Sequence, residues 1–250
     1  MYKFFCAPLL LFLFIFSGVA QEPDPVDIIK KSEDKLRGES TRAEVTMTIV
    51  RPDWSREMKM KMWSKGTEYS MILITAPARD EGTAFLKRQK ELWNWLPKIE
   101  RRIKLRSSAM GQSWMGSDFT NDDLVRESST ILDYTHRYMG EEEISGRNCH
   151  KLELIPKEEA PVVWGKVLMW VDTKDYMQLK VEFYDEDDFL VNTMLGSDIQ
   201  EFSGILLPAK MEMIPSEKEG HKTIIQYSSL VFDEPIEETF FSVQNMQRLQ

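Results

Sequence analysis

The three histidines and Cys149 are the residues of this chain best suited to nucleophilic or metal chemistry, and their spacing argues against both. His136, His150 and His221 lie far apart in the sequence, without the short intervals that are typical of metal ligands. Cys149 directly precedes His150, so on a strand the two side chains point to opposite faces. That is the wrong geometry for a thiolate and an imidazole that act together.

Other catalytic signatures are missing from the sequence as well. It contains no Gly-x-Ser-x-Gly elbow, no phosphate-binding loop and no dinucleotide fingerprint. The neighbouring acids Asp122 and Asp123, and likewise Asp187 and Asp188, fit a helix start and a turn better than paired-carboxylate catalysis. We therefore predict that the protein is not an enzyme and has no catalytic residue, no metal site and no cofactor.

The composition describes a globular protein and excludes several other classes. The chain has 250 residues, of which 42% are hydrophobic, too many for a disordered chain. Lys and Arg number 32 against 41 Asp and Glu, and the net charge of −9 argues against a nucleic-acid partner. The length suits one large domain, and no internal repeat or linker divides it.

The first twenty residues have the pattern of a secretory signal peptide. A lysine precedes an apolar run over 4–16, and the small residues Gly18 and Ala20 occupy the positions of a cleavage site. The run is short for a membrane span, and an uncleaved anchor is the alternative. We predict that residues 1–20 are the signal peptide and that 21–250 form one exported, soluble domain.

The order of helical and strand-like periods predicts an α+β protein. Asp24 and Pro25 begin an amphipathic helix that ends at Gly38. Apolar and polar residues then alternate from Ala43 to Ile49, which is typical of a strand with one wet face. Further strands are predicted at 57–62, 67–76, 83–96, 98–106, 147–156, 164–172, 177–184, 189–195, 205–214 and 222–232. Helical segments are predicted near 120–127, where Thr120 and Asp123 resemble a capping box, and at 235–249.

The turns between these strands have the spacing of hairpins, so we expect antiparallel strands in one long meandering sheet. A sheet of about ten strands with one apolar face tends to curl. The predicted fold is therefore a single large curved antiparallel sheet with a few helices covering its concave face. Because so few helices cover only part of that face, we expect an incompletely filled apolar cavity that suits an acyl chain.

Two apolar rows and a pair of tryptophans are predicted to line this cavity. Flexible methionines re-pack around apolar ligands of varied shape, although each of these residues could instead simply fill a core. The candidates are Met58, Met60, Met62, Trp93, Trp95, Met177, Leu179, Val181 and Phe183.

The segment 107–119 is a candidate lid. It combines glycines with the large apolar residues Met110, Trp114, Met115 and Phe119, which need burial. We predict that these residues close over the cavity or touch a membrane. The alternative is a loop anchored in the core.

A basic stretch over 84–106 is the most unusual feature of the composition. It has a net charge of +6, whereas the rest of the exported chain has −16. Its predicted role is to dock anionic headgroups or an acidic partner, and the alternative is a solvated strand that protects a sheet edge. The candidate docking residues are Lys98, Arg101, Arg102, Lys104 and Arg106.

Arg101 needs a separate explanation because it interrupts an apolar row. As a buried arginine it would need a partner, such as Asp118, a carbonyl of the lid or a ligand headgroup. A bent strand that returns Arg101 to solvent is the other interpretation.

Three stretches of this sequence resemble a known family. They are Leu92-Trp-Asn-Trp-Leu-Pro-Lys98 with the following Arg101-Arg102-Ile103, Trp114-Met-Gly-Ser-Asp-Phe-Thr120, and Asp122-Asp123-Leu124. The family is that of the outer-membrane lipoprotein-sorting proteins, the LolA-like superfamily, in its large and poorly characterised branch. The resemblance extends over nearly the whole of the exported chain.

This resemblance implies a periplasmic protein with an open half-barrel of antiparallel strands closed by helices. Studied members of the superfamily carry acyl chains of lipoproteins from an inner-membrane release complex towards the outer membrane. Relatives act as outer-membrane receptors or envelope-stress sensors, and members of this branch look like companions of lipid exporters. Arg101 is only an analogue in role of the arginine that latches the lid in the studied carriers.

The leading interpretation is a monomeric, non-enzymatic periplasmic carrier of lipoprotein or lipid acyl chains. The implied partners are an inner-membrane exporter and an outer-membrane acceptor, with transient membrane contact. The runner-up is a lipid-sensing regulatory or accessory module of an envelope lipid-export system, which would bind lipid without passing it on. A lipid-modifying enzyme ranks third.

Overall fold

The computed structural model describes residues 22–89, 91–125 and 129–249, so the predicted signal peptide lies outside the described residues. Thirteen strands form one antiparallel sheet in the order β6-β5-β4-β3-β2-β1-β13-β12-β11-β10-β9-β8-β7. The strands are β1 (Ser40–Arg51), β2 (Trp54–Lys65), β3 (Tyr69–Ala76), β4 (Ala84–Arg88), β5 (Glu91–Leu96), β6 (Arg101–Lys104), β7 (Tyr134–Ile144), β8 (Arg147–Pro156), β9 (Lys166–Asp172), β10 (Gln178–Tyr184), β11 (Leu190–Phe202), β12 (Ile205–Pro215) and β13 (Lys222–Phe232).

The sheet consists of two meanders joined in the middle. Strands β1 to β6 form one wing and β7 to β13 form the other, and antiparallel pairing of β1 with β13 connects them. The two outermost strands, β6 and β7, are the edges of the open sheet. The predicted single antiparallel sheet is therefore confirmed, with thirteen strands where about ten were expected.

One face of the sheet carries the main core, and we call it the inner face. It is the face of β1 on which Ala43, Val45, Met47 and Ile49 lie, and all four side chains are buried. These side chains join one large apolar cluster with residues from both wings. Because this apolar surface is buried, the polar residues that alternate with the four apolar residues of β1 lie on the opposite face of the sheet.

Helix α1 (Pro25–Arg37) covers part of the inner face. Its start is capped by Asp24, whose carboxylate accepts a hydrogen bond of 2.9 Å from the backbone nitrogen of Val26. Ile28 and Ile29 are buried in the inner cluster. The helix ends at Gly38, which has a φ of 56° and lies so close to Asp233 that a β-carbon would be 2.6 Å from Oδ1.

The C-terminal segment covers the opposite side, which we call the outer face. Helix α3 (Val243–Arg248) and the turn before it pack on β3 and β4, where Met71 and Leu86 form a separate cluster with Phe241 and Met246. The remaining helix, α2 (Asn121–Val125), is short. Not every helix therefore covers the concave face as the prediction had it, because the alternate residues of β3 and β4 make a second apolar surface.

The structure differs from the sequence prediction in β4 and β5 and at the two edges. The single strand predicted over 83–96 is two antiparallel strands, β4 and β5. Residues 98–106 are not one strand: a 3₁₀ turn at Pro97–Ile99 is followed by Glu100 in a left-handed conformation, and only Arg101–Lys104 is extended. Strand β7 is not among the predicted strands. A register shift between Tyr138 and Glu141 interrupts its alternation, and three glutamates in a row hide it further.

Among the described residues, no helix is both long enough and apolar enough to span a membrane.

Candidate functional site

Residues 107–120, which we call the plug, fold back on themselves over the inner face. The backbone nitrogen of Trp114 donates a hydrogen bond of 2.8 Å to the carbonyl of Phe119, and Ser113 bridges to Thr120. Met115 and Gly116 both have positive φ, at 53° and 79°, which makes the turn between them tight. The result is a compact loop that presents its apolar residues to the sheet.

The apolar side chains of the plug are inserted into the core. Trp114 is fully buried, and its ring packs on Phe85 of β4 with centroids 5.2 Å apart. Phe119 is also buried in the inner cluster, and Met115 packs against it. Met110 lies in a small separate cluster with Leu92. The plug therefore covers part of the inner face with side chains that are anchored in the core, and its role as a lid stays a prediction.

A buried ion pair holds the plug to the sheet. Arg51, at the end of β1, binds Asp118 through two bonds, Nη1 to Oδ2 at 2.9 Å and Nη2 to Oδ1 at 3.1 Å. Their side chains are only 11% and 6% exposed. The hydroxyl of Thr223 on β13 donates to the same carboxylate at 2.7 Å, and Arg51 also donates to the carbonyl of Gly116 at 3.1 Å. Together these contacts form a latch on the plug.

Reciprocal hydrogen bonds fix the junction between the plug and α2. The backbone nitrogen of Thr120 donates to Asp123 at 2.8 Å, and that of Asp123 donates to the Thr120 hydroxyl at 3.1 Å. This is the capping box predicted from the sequence. The indole nitrogen of Trp164 also donates to Asp123, at 3.3 Å. Burial outweighs these bonds and raises the pKa of Asp123 above its usual value.

A cavity of about 140 Å³ lies between α1 and the inner face of β1 to β3 and β13, and its lining includes Leu124 of α2 but no residue of the plug. This volume is close to the ~150 Å³ of an engineered cavity that binds benzene, and smaller than the ~300 Å³ of small-molecule sites. Polar groups of Glu33, Arg37 and Lys87 also line it. Its apolar lining comes from Leu36, Ala43, Met62, Ile72, Leu124 and Leu230.

Of the two apolar rows predicted to line the cavity, the row on β2 and the second half of the row at β10 lie on the inner face. Met58 and Met60 are buried in the inner cluster, and Met62 lines the cavity. Val181 and Phe183 belong to the inner cluster as well.

The other half of the second row faces outward. Met177 and Leu179 pack with Cys149 and Trp170 in an outer cluster. The pairing of β10 with β9 shifts register between Gln178 and Lys180, and such a bulge moves the residues before it to the other face.

The paired tryptophans also lie on the outer face. Trp93 pairs with Leu86, and Trp95 pairs with Ala84. Both indoles pack against the outer cluster under the C-terminal segment, not against the inner cluster that contains Phe85. The sequence placed them together correctly on one face but gave no means of deciding which face that is.

The predicted docking residues lie at the exposed edge of the sheet. Lys98, Arg101, Arg102, Lys104 and Arg106 are all exposed. Lys104 pairs with Glu91 at 2.6 Å and lies 5.5 Å from the ring of Trp93. Arg101 is exposed because β6 is an edge strand whose four residues are all exposed, and Asp118 binds Arg51 in its place.

Sequence reasoning missed Arg51 and Arg56, the two arginines that contact the plug. A signal was available, because Arg51 lies two residues beyond Ile49 and so continues the inner row of β1. Pairing of Ile49 with Arg56 brings Arg56 to the same face.

Nothing in the described ranges combines three potential metal ligands. Cys149 is buried in the cluster that it forms with Trp170, Met177 and Leu179 on the outer face. His150 lies instead beside Tyr138, at 5.8 Å between ring centroids, so the two neighbours point apart as the sequence indicates.

The fold is similar to that of several solved structures. An outer-membrane lipoprotein-sorting protein domain from Vibrio parahaemolyticus is 25% identical with a TM-score of 0.80, over 90% of this chain and 98% of that one. A DUF1329 family protein from Desulfovibrio piger is 24% identical with a TM-score of 0.81, over 90% and 100%. A LolA superfamily protein from Nitrosomonas europaea is 24% identical with a TM-score of 0.76, over 89% and 99%.

The sequence is also similar to an uncharacterized protein of Methanocaldococcus jannaschii, at 26% identity over 189 residues. The match covers 72% of this chain, which spans about half of that relative, 51% of its length. A family model described as "Uncharacterized protein" matches residues 66–248, which is most of the chain. Because this model matches more than half of the chain, the chain belongs to this family, and its half-barrel fold is similar to that of the structures above.

Proposed function

We propose that this protein is a periplasmic carrier that binds acyl chains of lipoproteins or lipids on its inner face and delivers them towards the outer membrane. The observation that carries the proposal is an apolar inner face that holds a partly empty cavity and is covered elsewhere by the plug, a short latched segment. The similarity to an outer-membrane lipoprotein-sorting domain supports the same function.

The size of the cavity defines what the closed protein holds. At about 140 Å³ it accepts the end of one hydrocarbon chain, comparable with a single benzene-sized ligand. A complete acyl chain needs more room, and the plug is the element whose removal would supply it. Displacement of Trp114 and Phe119 would expose the further inner surface in which both side chains are now buried.

The free energy gained by burying an acyl chain on the inner face is similar to the free energy lost when Trp114 and Phe119 leave it. Each methylene that leaves water contributes about 0.8 kcal/mol, so roughly ten buried methylenes contribute about 8 kcal/mol. Exposure of Trp114 and Phe119 costs about 3 kcal/mol each on the same scale. A long chain therefore balances the loss of the plug contacts, whereas a short chain does not. Methionines such as Met58 and Met62 let the inner face adapt to chains of varied shape.

A cavity-filling variant tests this proposal. Ala43 lies on β1 and lines the cavity, so Ala43→Phe fills the space that a chain would enter. We expect about tenfold or more weaker binding of a fluorescent fatty acid, because several methylenes lose their site. Binding is measured by fluorescence titration of the chain from residue 21 onward. Ala160→Phe, in the loop between β8 and β9, is the matched control.

Two outcomes would count against the carrier. Unchanged binding by a folded Ala43→Phe variant would show that the acyl chain does not bind in this cavity. A wild-type protein that is empty by native mass spectrometry and takes up no fatty acid would contradict the whole proposal. Binding without transfer to acceptor vesicles would instead favour the lipid-sensing module.

A further inference from the structure

Beneath the plug, the inner face ends in a group of arginines. Arg51 pairs with Trp54 and Ile49 pairs with Arg56, so Arg51 and Arg56 are diagonal neighbours on one face of β1 and β2. Arg79 is close enough to act on Arg56 electrostatically, and it has its own carboxylate partner, Asp80, at 3.0 Å.

Arg56 lacks such a partner. Within the described ranges it forms no ion pair; it donates to the carbonyl of Met115 in the plug and contacts the sulfur of Met58 at 3.5 Å. Its Nε is buried and has no hydrogen-bond acceptor. Burial is the main cause that lowers the pKa of Arg56; the positive charges of Arg79 and Arg51 act in the same direction, and the carboxylate of Asp80 acts in the opposite one.

The same place already holds an oxyanion in the closed protein. The carboxylate of Asp118 receives two hydrogen bonds from Arg51 and one from Thr223. A planar guanidinium binds carboxylate and phosphate groups with this geometry. When the plug leaves, it removes both Asp118 and the Met115 carbonyl, so Arg51 and Arg56 lose acceptors at the same time.

We propose that Arg51, Arg56 and Thr223 form a binding site for the anionic headgroup of a lipid, a carboxylate or a phosphate, which the plug occupies with Asp118 in the closed protein. This inference rests on the proposed carrier function, because the site opens only when the plug is displaced. The headgroup replaces Asp118, and ligand binding is therefore coupled to opening of the plug.

Selectivity follows from this exchange. Opening removes the carboxylate of Asp118 from Arg51, which keeps its hydrogen bonds to the carbonyls of Val50 and Lys222. It also leaves Arg56 without the Met115 carbonyl. An anionic amphiphile compensates these two positive charges, whereas a neutral amphiphile with the same chain does not. The exposed indole of Trp54, 52% accessible, lies beside Arg51 at 5.8 Å from the guanidinium carbon. An aromatic ring next to arginines suits the boundary between chain and headgroup.

The test compares two probes with the same chain, a fluorescent fatty acid and its methyl ester. We expect the wild-type protein to bind the acid about tenfold more tightly than the ester, the contribution of a charge-assisted hydrogen bond. Arg56→Gln should bring this ratio close to one, and Arg56→Lys should retain part of it. Arg42→Gln, at an exposed arginine on β1, is the matched control and should leave the ratio unchanged.

A second variant acts in the opposite direction. Asp118→Asn removes the competing anion, so it should raise the affinity for the acid more than that for the ester. Inorganic phosphate serves as an anion without a chain, and we expect it to bind far more weakly than the fatty acid.

The outcomes separate this proposal from the carrier function. If the ester binds as tightly as the acid, or if Arg56→Gln leaves the ratio unchanged, the headgroup site is overturned while the carrier stands. Phosphate that binds as tightly as the fatty acid would also overturn the assignment to a lipid headgroup. If neither probe binds the wild-type protein, both proposals fail.

Discussion

At the residue scale, burial has different consequences for the ion pair of Arg51 and Asp118 and for the thiol of Cys149. Arg51 and Asp118 are buried as a pair that links two separate parts of the chain. Removing one partner of such a pair leaves a buried charge without compensation, which typically costs about 3–5 kcal/mol. The pair therefore makes the closed position of the plug specific, whatever its net contribution to stability.

Cys149 is a thiol that the fold makes inert. It is fully buried in an outer cluster, and burial together with the nearby Asp172 raises its pKa to about 11. We expect no reaction of Cys149 with a thiol reagent at pH 8 in the native protein and complete reaction in denaturant. Mass spectrometry after labelling measures this directly. Rapid labelling of the native chain would show that the outer cluster opens easily or that the thiol is activated.

At the element scale, the plug is held by its buried apolar side chains and by the pair of Arg51 and Asp118. Its apolar anchor is Trp114, and substitution of a buried tryptophan by alanine costs about 3–5 kcal/mol. In Trp114→Ala we expect this cost to appear mainly as opening of the plug, so that limited proteolysis cuts within residues 107–120 while the sheet remains intact. Circular dichroism measures the persistence of the strands.

A matched substitution on the other face separates local from global effects. Phe241→Ala removes a buried aromatic ring from the outer cluster and should loosen the C-terminal segment, not the plug. Proteolysis of both variants at the same sites, with the same loss of sheet signal, would show that the plug unfolds only with the whole protein.

At the scale of the whole molecule, charge is distributed unevenly between the two edges of the sheet. The edge strand β6 carries Arg101, Arg102 and Lys104, all exposed, and β7 at the far edge carries three consecutive glutamates. Exposed charges of this kind protect free edges against pairing with another chain. The basic edge is also a surface that would attract anionic membranes.

Charge reversal at the basic edge tests that second role. We expect the double variant Arg102→Glu and Lys104→Glu to lower the rate of fatty-acid transfer to anionic vesicles by about tenfold at low salt, with little change in equilibrium affinity. The control is the same reversal at Lys59 and Lys61, which are exposed on β2. Equal transfer rates for both double variants would mean that the basic edge protects the sheet against pairing with another chain but does not attract anionic membranes.

The sequence by itself determined the local structure and the composition of the site. Alternation of apolar and polar residues is a local property, so it predicted strands such as β1 and, through the hairpin spacing, the antiparallel sheet. The capping box at Thr120 and the apolar residues of the plug were also legible, because their chemistry lies within a few neighbouring positions.

Only the tertiary structure decided which face each row occupies and which charges meet. A one-residue bulge sends Met177 and Leu179 outward while Val181 stays inside, and alternation cannot reveal a bulge because it depends on the partner strand. Both faces of β3 and β4 are apolar, so Trp93 had no preferred side in the sequence. The contact between Arg51 and Asp118 joins residues 67 positions apart, and only the pairing and curvature of the sheet bring them together.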